Sequence, residues 1–384
     1  MKVLITGANG FVGKNLRSFL SLNKEIELLC YDINSTEEEL EKYTAECDFV
    51  YHLAGVNRPK NPEEFMEGNY GFTSILLNKL KSHNNKAPIM ISSSIQAELE
   101  NDYGKSKKAG EDLIFEYGRK NGINVYVYRF PNLFGKWCRP NYNSVIATFC
   151  NNIANNEPIT INDENAELTL AYIDDVCEEL IKCLNGQATM KEKYCTVPVT
   201  YKRSLGEIAN LIKSFKKNST GIMVPSTGDE FVKKLYATYI SYVPLTDMVV
   251  DLVEHRDSRG LFCELIRTNE CGQVSVSTTN PNVERGGHYH HTKMERFIVI
   301  KGKAKIEFEH IITHEKFEFT VSEEKLQYVT IPVGYQHKIN NIGNGELILM
   351  LWANELFDEK HPDTYVMEEE NENKEWLQWY SMEE

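Results

Sequence analysis

The chain's 384 residues are too many for one comfortable hydrophobic core and suit two, since single cores stop growing near roughly 250 to 300 residues. A formal net charge of -14 repels polyanions, which argues against non-specific nucleic-acid binding and leaves local donors to hold any phosphate-bearing ligand. Nine cysteines without a CxxC pair, no apolar run near the roughly 20 residues of a membrane span, and a start in which VLIT is cut at once by Gly7 together predict a protein of the reducing cytoplasm, with no leader and no membrane anchor.

The first stretch, KVLIT, is a short β-branched run of the kind that forms a buried parallel strand. Gly7, Gly10 and Gly13 follow at three-residue spacing, with Phe11 and Val12 between the last two, before KNLRSFL takes on helical periodicity. Glycines there allow a tight turn, let the backbone approach a pyrophosphate, and turn the helix's first amides towards the anion. The same triplet also fits an ordinary glycine-rich turn. Asp32 ends the second strand about 20 residues on, where a carboxylate can bind the 2′-hydroxyl of NAD and repel the 2′-phosphate of NADP, or can simply cap the loop before STEEEL.

DFVYHLAG predicts a further buried strand closing on Leu53, Ala54 and Gly55, with Arg58 just beyond and in reach of a phosphate. APIMISSSIQA predicts another, which delivers serines to its carboxyl end, the edge where open parallel sheets bind ligands. In the helical pattern NDYGKSKKAGEDLIFEYG, Tyr103 and Lys107 stand four apart and share one face. A lysine cation beside a phenol favours the phenolate, so the pair is expected to lower the tyrosine pKa below about 10. A YxxxK spacing also occurs on solvated helical faces. KWCRPNYNSVIATFC then combines Trp137, Arg139 and several asparagines, with Asn132 just ahead in RFPNLFG; these offer stacking, diphosphate pairing and amide hydrogen bonds, although a lone tryptophan is as readily a core residue.

The texture changes near residue 243. From Pro244 onwards, short alternating runs such as GQVSVSTT, ERFIVIKGKAKIEFEH, EKFEFTV and QYVTIPVG recur at the spacing of an all-β sandwich or barrel. The organisation expected is therefore residues 1–243, residues 244–370, and an acidic tail over 371–384 that holds EWLQWY. Within HYHHTKMERFIVIKG an extended strand points His288 and His290 to one side, and the next strand turns Glu295 to the same cavity. His337 in IPVGYQHKINN returns to it after a proline-glycine turn. Three imidazoles and a carboxylate suit a divalent transition metal, zinc first, with His291 on the opposite face and not a ligand.

Taken in order, the glycine turn, HLAG, the serine cluster, YxxxK, RFPNLFG and YIDDV resemble the extended short-chain dehydrogenase/reductases, which implies a Rossmann-type doubly wound parallel sheet. The resemblance makes Tyr103 the proton donor to the substrate oxygen, Lys107 its ribose-binding partner, and Ser94 a second hydrogen bond to that oxygen. It implies cofactor contacts at Gly7, Gly10, Phe11, Val12, Gly13, Asp32, Leu53, Ala54, Gly55, Arg58 and Lys107, a structural asparagine at Asn69, and sugar-nucleotide contacts at Asn132, Trp137 and Arg139. The pattern His-x-His-x4-Glu-x6-Gly, then Pro-x-Gly-x2-His-x3-Asn, carried by His288, His290, Glu295, Gly302, Pro332, Gly334, His337 and Asn341, resembles the two motifs of the cupins. Cupins usually place a glycine five residues ahead of each motif, where this chain has Asn282 and Leu326.

Both halves together, through HLAGVNRP, YRFPNLFGKWC, CGQVSV and IPVGYQH, resemble bifunctional enzymes of bacterial capsular polysaccharide synthesis. The resemblance implies epimerisation at C3 of a UDP-linked N-acetyl-6-deoxy-4-ketohexose by the barrel, then NADPH-dependent reduction at C4. The product is UDP-N-acetyl-6-deoxy-L-talosamine. NADPH is expected from the relatives, with NADH left open by Asp32; Lys293, Tyr289 and Tyr335 are the candidate epimerisation bases. A homo-oligomer, a dimer through paired helices, is expected as well. The competing expectation keeps the nucleotide-sugar reductase but gives the barrel a structural, oxidative or sugar-binding role.

Overall fold

The computed structural model describes residues 1–219, 223–251, 255–257, 260–262, 267–268, 272–355 and 360–367. The expected acidic tail over 371–384 lies outside the described residues. The chain divides into two compact units, one of Met1–Gly221 with Gly228–Val243, the other of Ile222–Thr227 with Pro244–Glu384. Seven cysteines of the described residues are unbridged, and among those residues no helix is long and apolar enough to cross a membrane.

In the first unit, strands β1 (Lys2–Thr6), β2 (Glu27–Tyr31), β3 (Phe49–His52), β4 (Ile89–Ser94) and β5 (Val125–Phe130) line up in parallel in the order β2-β1-β3-β4-β5. Two short strands, Tyr194–Cys195 and Met190–Lys191, extend the sheet beyond β5. Val3, Leu4, Ile5, Val50 and Ile89 are fully buried, as a sheet covered on both faces requires. Because β1 pairs with β2 on one side and β3 on the other, the winding reverses between β1 and β3 and opens a crevice at their carboxyl ends. His52, beneath that crevice, is held between Thr6 Oγ1 at 2.7 Å and Thr73 Oγ1 at 2.8 Å, and burial pushes its pKa down to about 3.

The helices follow local chemistry. Gly10 stands at the N-cap of α1 (Phe11–Leu20) with no side-chain cap. Thr36 and Glu39 form a capping box on α2 (Glu37–Glu46). A single turn, α3 (Glu63–Met66), runs through a π-turn over Glu67–Gly71 into α4 (Phe72–Ser82). Asn101 caps α5 (Asp102–Asn121), its Oδ1 taking the Gly104 amide at 2.7 Å, and Gly122 ends it at φ 66°.

The second unit holds two five-stranded sheets. One orders Val249–Asp251, Gln327–Ile331, Glu295–Lys301, Leu347–Ala353 and Gln273–Thr279; the other orders Lys316–Ser322, Lys303–His310, Tyr335–Asn341, Glu284–Tyr289 and Tyr365–Val366. All neighbours are antiparallel. Phe297, Val299, Val329 and Leu349 of the first sheet share a core with Ile306, Phe308, Val321 and Ile339 of the second, an all-β sandwich of cupin type. Asn282 takes the left-handed conformation at φ 62°, which asparagine visits more readily than most non-glycine residues.

Candidate functional site

A cavity of about 1200 Å³ lies at the carboxyl edge of the parallel sheet. Its lining includes Gly7, Gly10, Phe11, Val12, Gly13, Asp32, Leu53, Ala54 and Gly55, then Ser94, Tyr103 and Lys107, and also Asn132, Trp137, Arg139 and Tyr142. One residue from the sequence reasoning is missing. Arg58 is exposed on the loop after β3 and does not line the cavity. The guanidinium at the glycine turn is that of Arg17, whose Nη1 reaches Asn9 Oδ1 at 2.9 Å and the Ala8 carbonyl at 3.3 Å.

The glycines answer specific crowding. Gly7 has φ 69°, and a Cβ there would fall 2.7 Å from the Ala54 amide; a Cβ on Gly13 would fall 2.3 Å from the Gly7 carbonyl. Asp32 is committed on both oxygens, Oδ2 to the Asn9 amide at 2.7 Å and Oδ1 to the Ile33 amide at 2.8 Å. It therefore braces the glycine turn while facing the cavity.

Tyr103 sits in the first turn of α5 and lines the cavity with Ser94, and Lys107 one turn later places Nζ 5.9 Å from the Tyr103 ring and 3.3 Å from the Ser92 carbonyl. The electrostatics differ from the sequence expectation. Burial raises the Tyr103 pKa above its ordinary value against the hydrogen bond from Ser94, and burial also lowers Lys107 to about 8 against the pull of Glu111. The phenol is thus held protonated, because desolvation disfavours the phenolate more than its neighbours favour it.

Asn69 was expected as a structural asparagine; Glu111, and Lys136 with its partner Asp174, escaped the sequence reading. Asn69, fully inside the π-turn, receives the Val56 amide on Oδ1 at 3.0 Å and donates to the Val56 carbonyl and to Ser106 Oγ, each at 3.0 Å, so it pins the loop after β3 to α5. Glu111, one turn beyond Lys107, takes Ser93 Oγ at 2.6 Å. Lys136 pairs with Asp174 at 2.5 Å and its carbonyl takes Asn15 Nδ2 at 3.2 Å; both side chains are buried just before Trp137, which has φ 66°. The spacing of Glu111 from Lys107 was a usable signal; the partner of Lys136 lies too far along the chain to be read.

In the second unit one ligand atom each from His288, His290, Glu295 and His337 lies within 4.8 Å of the others. Gly286 and Gly287, at φ 97° and 80°, form the bulge that turns His288 inward, and a Cβ on Gly286 would fall 2.7 Å from the His337 carbonyl. His290 Nδ1 meets the Asp363 carbonyl at 2.6 Å. A carbonyl only accepts, so Nδ1 carries the hydrogen and Nε2 presents a lone pair. That lone pair faces Glu295 Oε2 at 3.3 Å, and His337 Nε2 meets the same oxygen at 3.3 Å. Acceptors converging so closely fit a shared cation. Burial pushes His288 down to about 3 and lowers His337 as well, which leaves neutral imidazoles, the ligating form.

His291 is buried on the opposite face against Tyr289 and Tyr365 and is not part of the cluster. Of the candidate bases, Lys293 Nζ is tied to the Pro362 carbonyl and Thr364 Oγ1, Tyr289 is buried, and burial drives Tyr335 to about 12.

Residues 3–194 match the NAD dependent epimerase/dehydratase family, and residues 255–365 match the polysaccharide biosynthesis C-terminal domain. A UDP-2-acetamido-2,6-beta-L-arabino-hexul-4-ose reductase of Pseudomonas aeruginosa is 43% identical over 95% of this chain and 98% of its own. The crystal structure of the capsular polysaccharide assembling protein CapF of Staphylococcus aureus is 46% identical, covers 96% of this chain and 100% of its own, and superposes with a TM-score of 0.67. A UDP-glucuronic acid 4-epimerase of Bacillus cereus, 20% identical over 57% of this chain and 84% of its own with a TM-score of 0.51, shares the fold of the first unit.

Proposed function

From the chain's membership of the NAD dependent epimerase/dehydratase family, with a polysaccharide biosynthesis C-terminal domain following, we propose a bifunctional nucleotide-sugar enzyme. The β unit epimerises C3 of a UDP-linked N-acetyl-6-deoxy-4-ketohexose, and the first unit reduces its C4 ketone with NADPH to UDP-N-acetyl-6-deoxy-L-talosamine. The observation that carries this reading is that one chain holds two built sites, the Ser94, Tyr103 and Lys107 trio at the sheet edge and the closed His288, His290, Glu295 and His337 cluster.

Order follows from acidity. The hydrogen on C3 is labile only while C4 is a ketone, so epimerisation comes first and reduction then fixes the configuration. Tyr103 keeps its proton in the resting protein and gives it to the C4 oxygen; Ser94 and the Lys107 ammonium then steady the phenolate left behind. The α1 amides and the glycine turn receive a diphosphate, and Arg139, whose guanidinium stacks 5.3 Å from the Tyr142 ring, is placed for the phosphates of the sugar nucleotide. The nicotinamide supplies the hydride for C4. A divalent ion, zinc by the donor set, would be held by His288, His290, Glu295 and His337 and would supply charge stabilisation for an enolate oxygen.

The test separates the halves. Tyr103→Phe protein given the UDP-ketosugar in deuterated water is expected to place deuterium at C3 without oxidising NADPH. Failure of the unaltered enzyme to exchange C3 removes the epimerase half.

A further inference from the structure

We infer that Asp363 is a positioning residue for the metal-site histidine His290, setting the cluster's affinity for a divalent cation through His290 and the loop that leads to Glu295. The inference rests on reading the cluster as a metal centre.

Asp363 approaches from 73 residues further along the chain. Its backbone carbonyl takes the Nδ1 hydrogen of His290 at 2.6 Å, which fixes the tautomer and the ring orientation and leaves Nε2 aimed at the cluster. Its carboxylate gathers the next three residues: Oδ1 accepts the His291 amide at 3.0 Å, and Oδ2 accepts the Thr292 amide at 2.8 Å, Thr292 Oγ1 at 3.0 Å and the Lys293 amide at 2.6 Å. These residues form the connection between His290 and Glu295. One residue therefore governs one ligand directly and the spacing to a second.

The neighbours of Asp363 hold it in place. Lys293 Nζ donates to the Pro362 carbonyl at 3.2 Å and to Thr364 Oγ1 at 3.0 Å, while Tyr365 and Val366 pair with Tyr289 and His288 as the outermost strand of the sheet. Asp363 itself has φ 40°, a left-handed conformation that a non-glycine residue keeps only where its surroundings fix it. Side chain and main chain are both engaged, and both act on the stretch 290–293.

Partners of this kind typically govern metal affinity by 10- to 100-fold. Zinc affinity of the full chain is measured by competition with a chromophoric chelator, and the visible spectrum of the cobalt form reports ligand geometry. Asp363→Ala is expected to weaken zinc 10- to 100-fold and to change the cobalt spectrum, with the thermal transition of the first unit unmoved. Asp363→Asn keeps the shape and one acceptor, and is expected to fall between the parent and Asp363→Ala; it also carries the test should the alanine variant fail to fold. Parental affinity and spectrum in a folded variant would overturn the inference while leaving the metal centre intact. A parent chain that takes up no zinc or cobalt removes the metal reading, and the inference with it.

Discussion

The Glu111 carboxylate grips the Arg129 guanidinium with two hydrogen bonds, Nε to Oε1 at 2.8 Å and Nη2 to Oε2 at 2.7 Å, joining α5 to β5 one turn beyond Lys107. Glu111 is fully buried, and Arg129 also stacks 3.8 Å from the Tyr194 ring. Removing one partner of such a pair strands the other charge in the interior. Arg129→Met is expected to lower the unfolding free energy by about 3 to 5 kcal/mol, and Glu111→Gln with Arg129→Met to recover part of that loss. Urea titrations of Arg129→Met, Glu111→Gln and the double variant give the coupling; a loss under about 1 kcal/mol in Arg129→Met would mean the pair behaves as a solvated one.

Glu111 also acts on Lys107, one turn away. Burial pushes the Lys107 ammonium down to about 8, and Glu111 opposes that shift. The sign follows: Lys107 is charged below about pH 8 and neutral above, while Tyr103 is shifted upward and keeps its proton past that point. Reductase kcat/KM, which reports the free enzyme, is expected to decline above about pH 8, and Glu111→Gln to move that limb to lower pH. A limb that stays in place in Glu111→Gln, in a variant that remains folded, would remove Lys107 as its cause.

Gly55 tests how closely the loop after β3 must approach α5. A Cβ at Gly55 would lie 2.7 Å from Asn69 Oδ1 and 2.9 Å from Lys107 Nζ, so even alanine has to displace a pinned amide or the lysine. Gly55→Ala is expected to cost the reductase at least about tenfold in kcat/KM, since small misplacements of catalytic groups are costly. Zinc binding should be unchanged. Stopped-flow NADPH oxidation alongside chelator competition checks both, and full reductase activity would show that the loop yields.

The parallel sheet and the convergence of three histidines with Glu295 were legible because their signals are local. Gly7, Gly10 and Gly13 fall within one turn, Tyr103 and Lys107 within one helical turn, and His288, His290 and Glu295 within eight residues. Alternation and helical period carry that information directly. What the sequence hid depends on distant partners or on competing energies. Asp174 completes Lys136 across 38 residues, and Asp363 reaches His290 across 73; no period links either pair. The expected lowering of the Tyr103 pKa rested on the lysine alone, whereas burial of the phenol, which only the fold reveals, decides the direction. Arg58 was placed by proximity in sequence, yet the loop after β3 carries it outward, and Arg17 occupies the glycine turn from the first helix instead.

Cofactor choice turns on this last contrast. Asp32 faces the cavity at the end of β2, where a carboxylate disfavours a 2′-phosphate, yet both of its oxygens already accept backbone amides at 2.7 and 2.8 Å, which spreads its charge into the turn. Arg17 does not line the cavity but bonds Asn9 Oδ1 at 2.9 Å, and so brings a cation to the same turn. With NADPH as the working cofactor, Asp32→Ala is expected to raise the ratio of kcat/KM for NADPH over NADH by about tenfold, the effect of removing roughly 1.4 kcal/mol of like-charge repulsion. Arg17→Met should move the ratio the other way. Steady-state rates with both nucleotides on the three proteins decide the matter: a ratio that Asp32→Ala leaves unchanged would make Asp32 a brace for the glycine turn only, and a ratio that Arg17→Met leaves unchanged would place the phosphate away from Arg17.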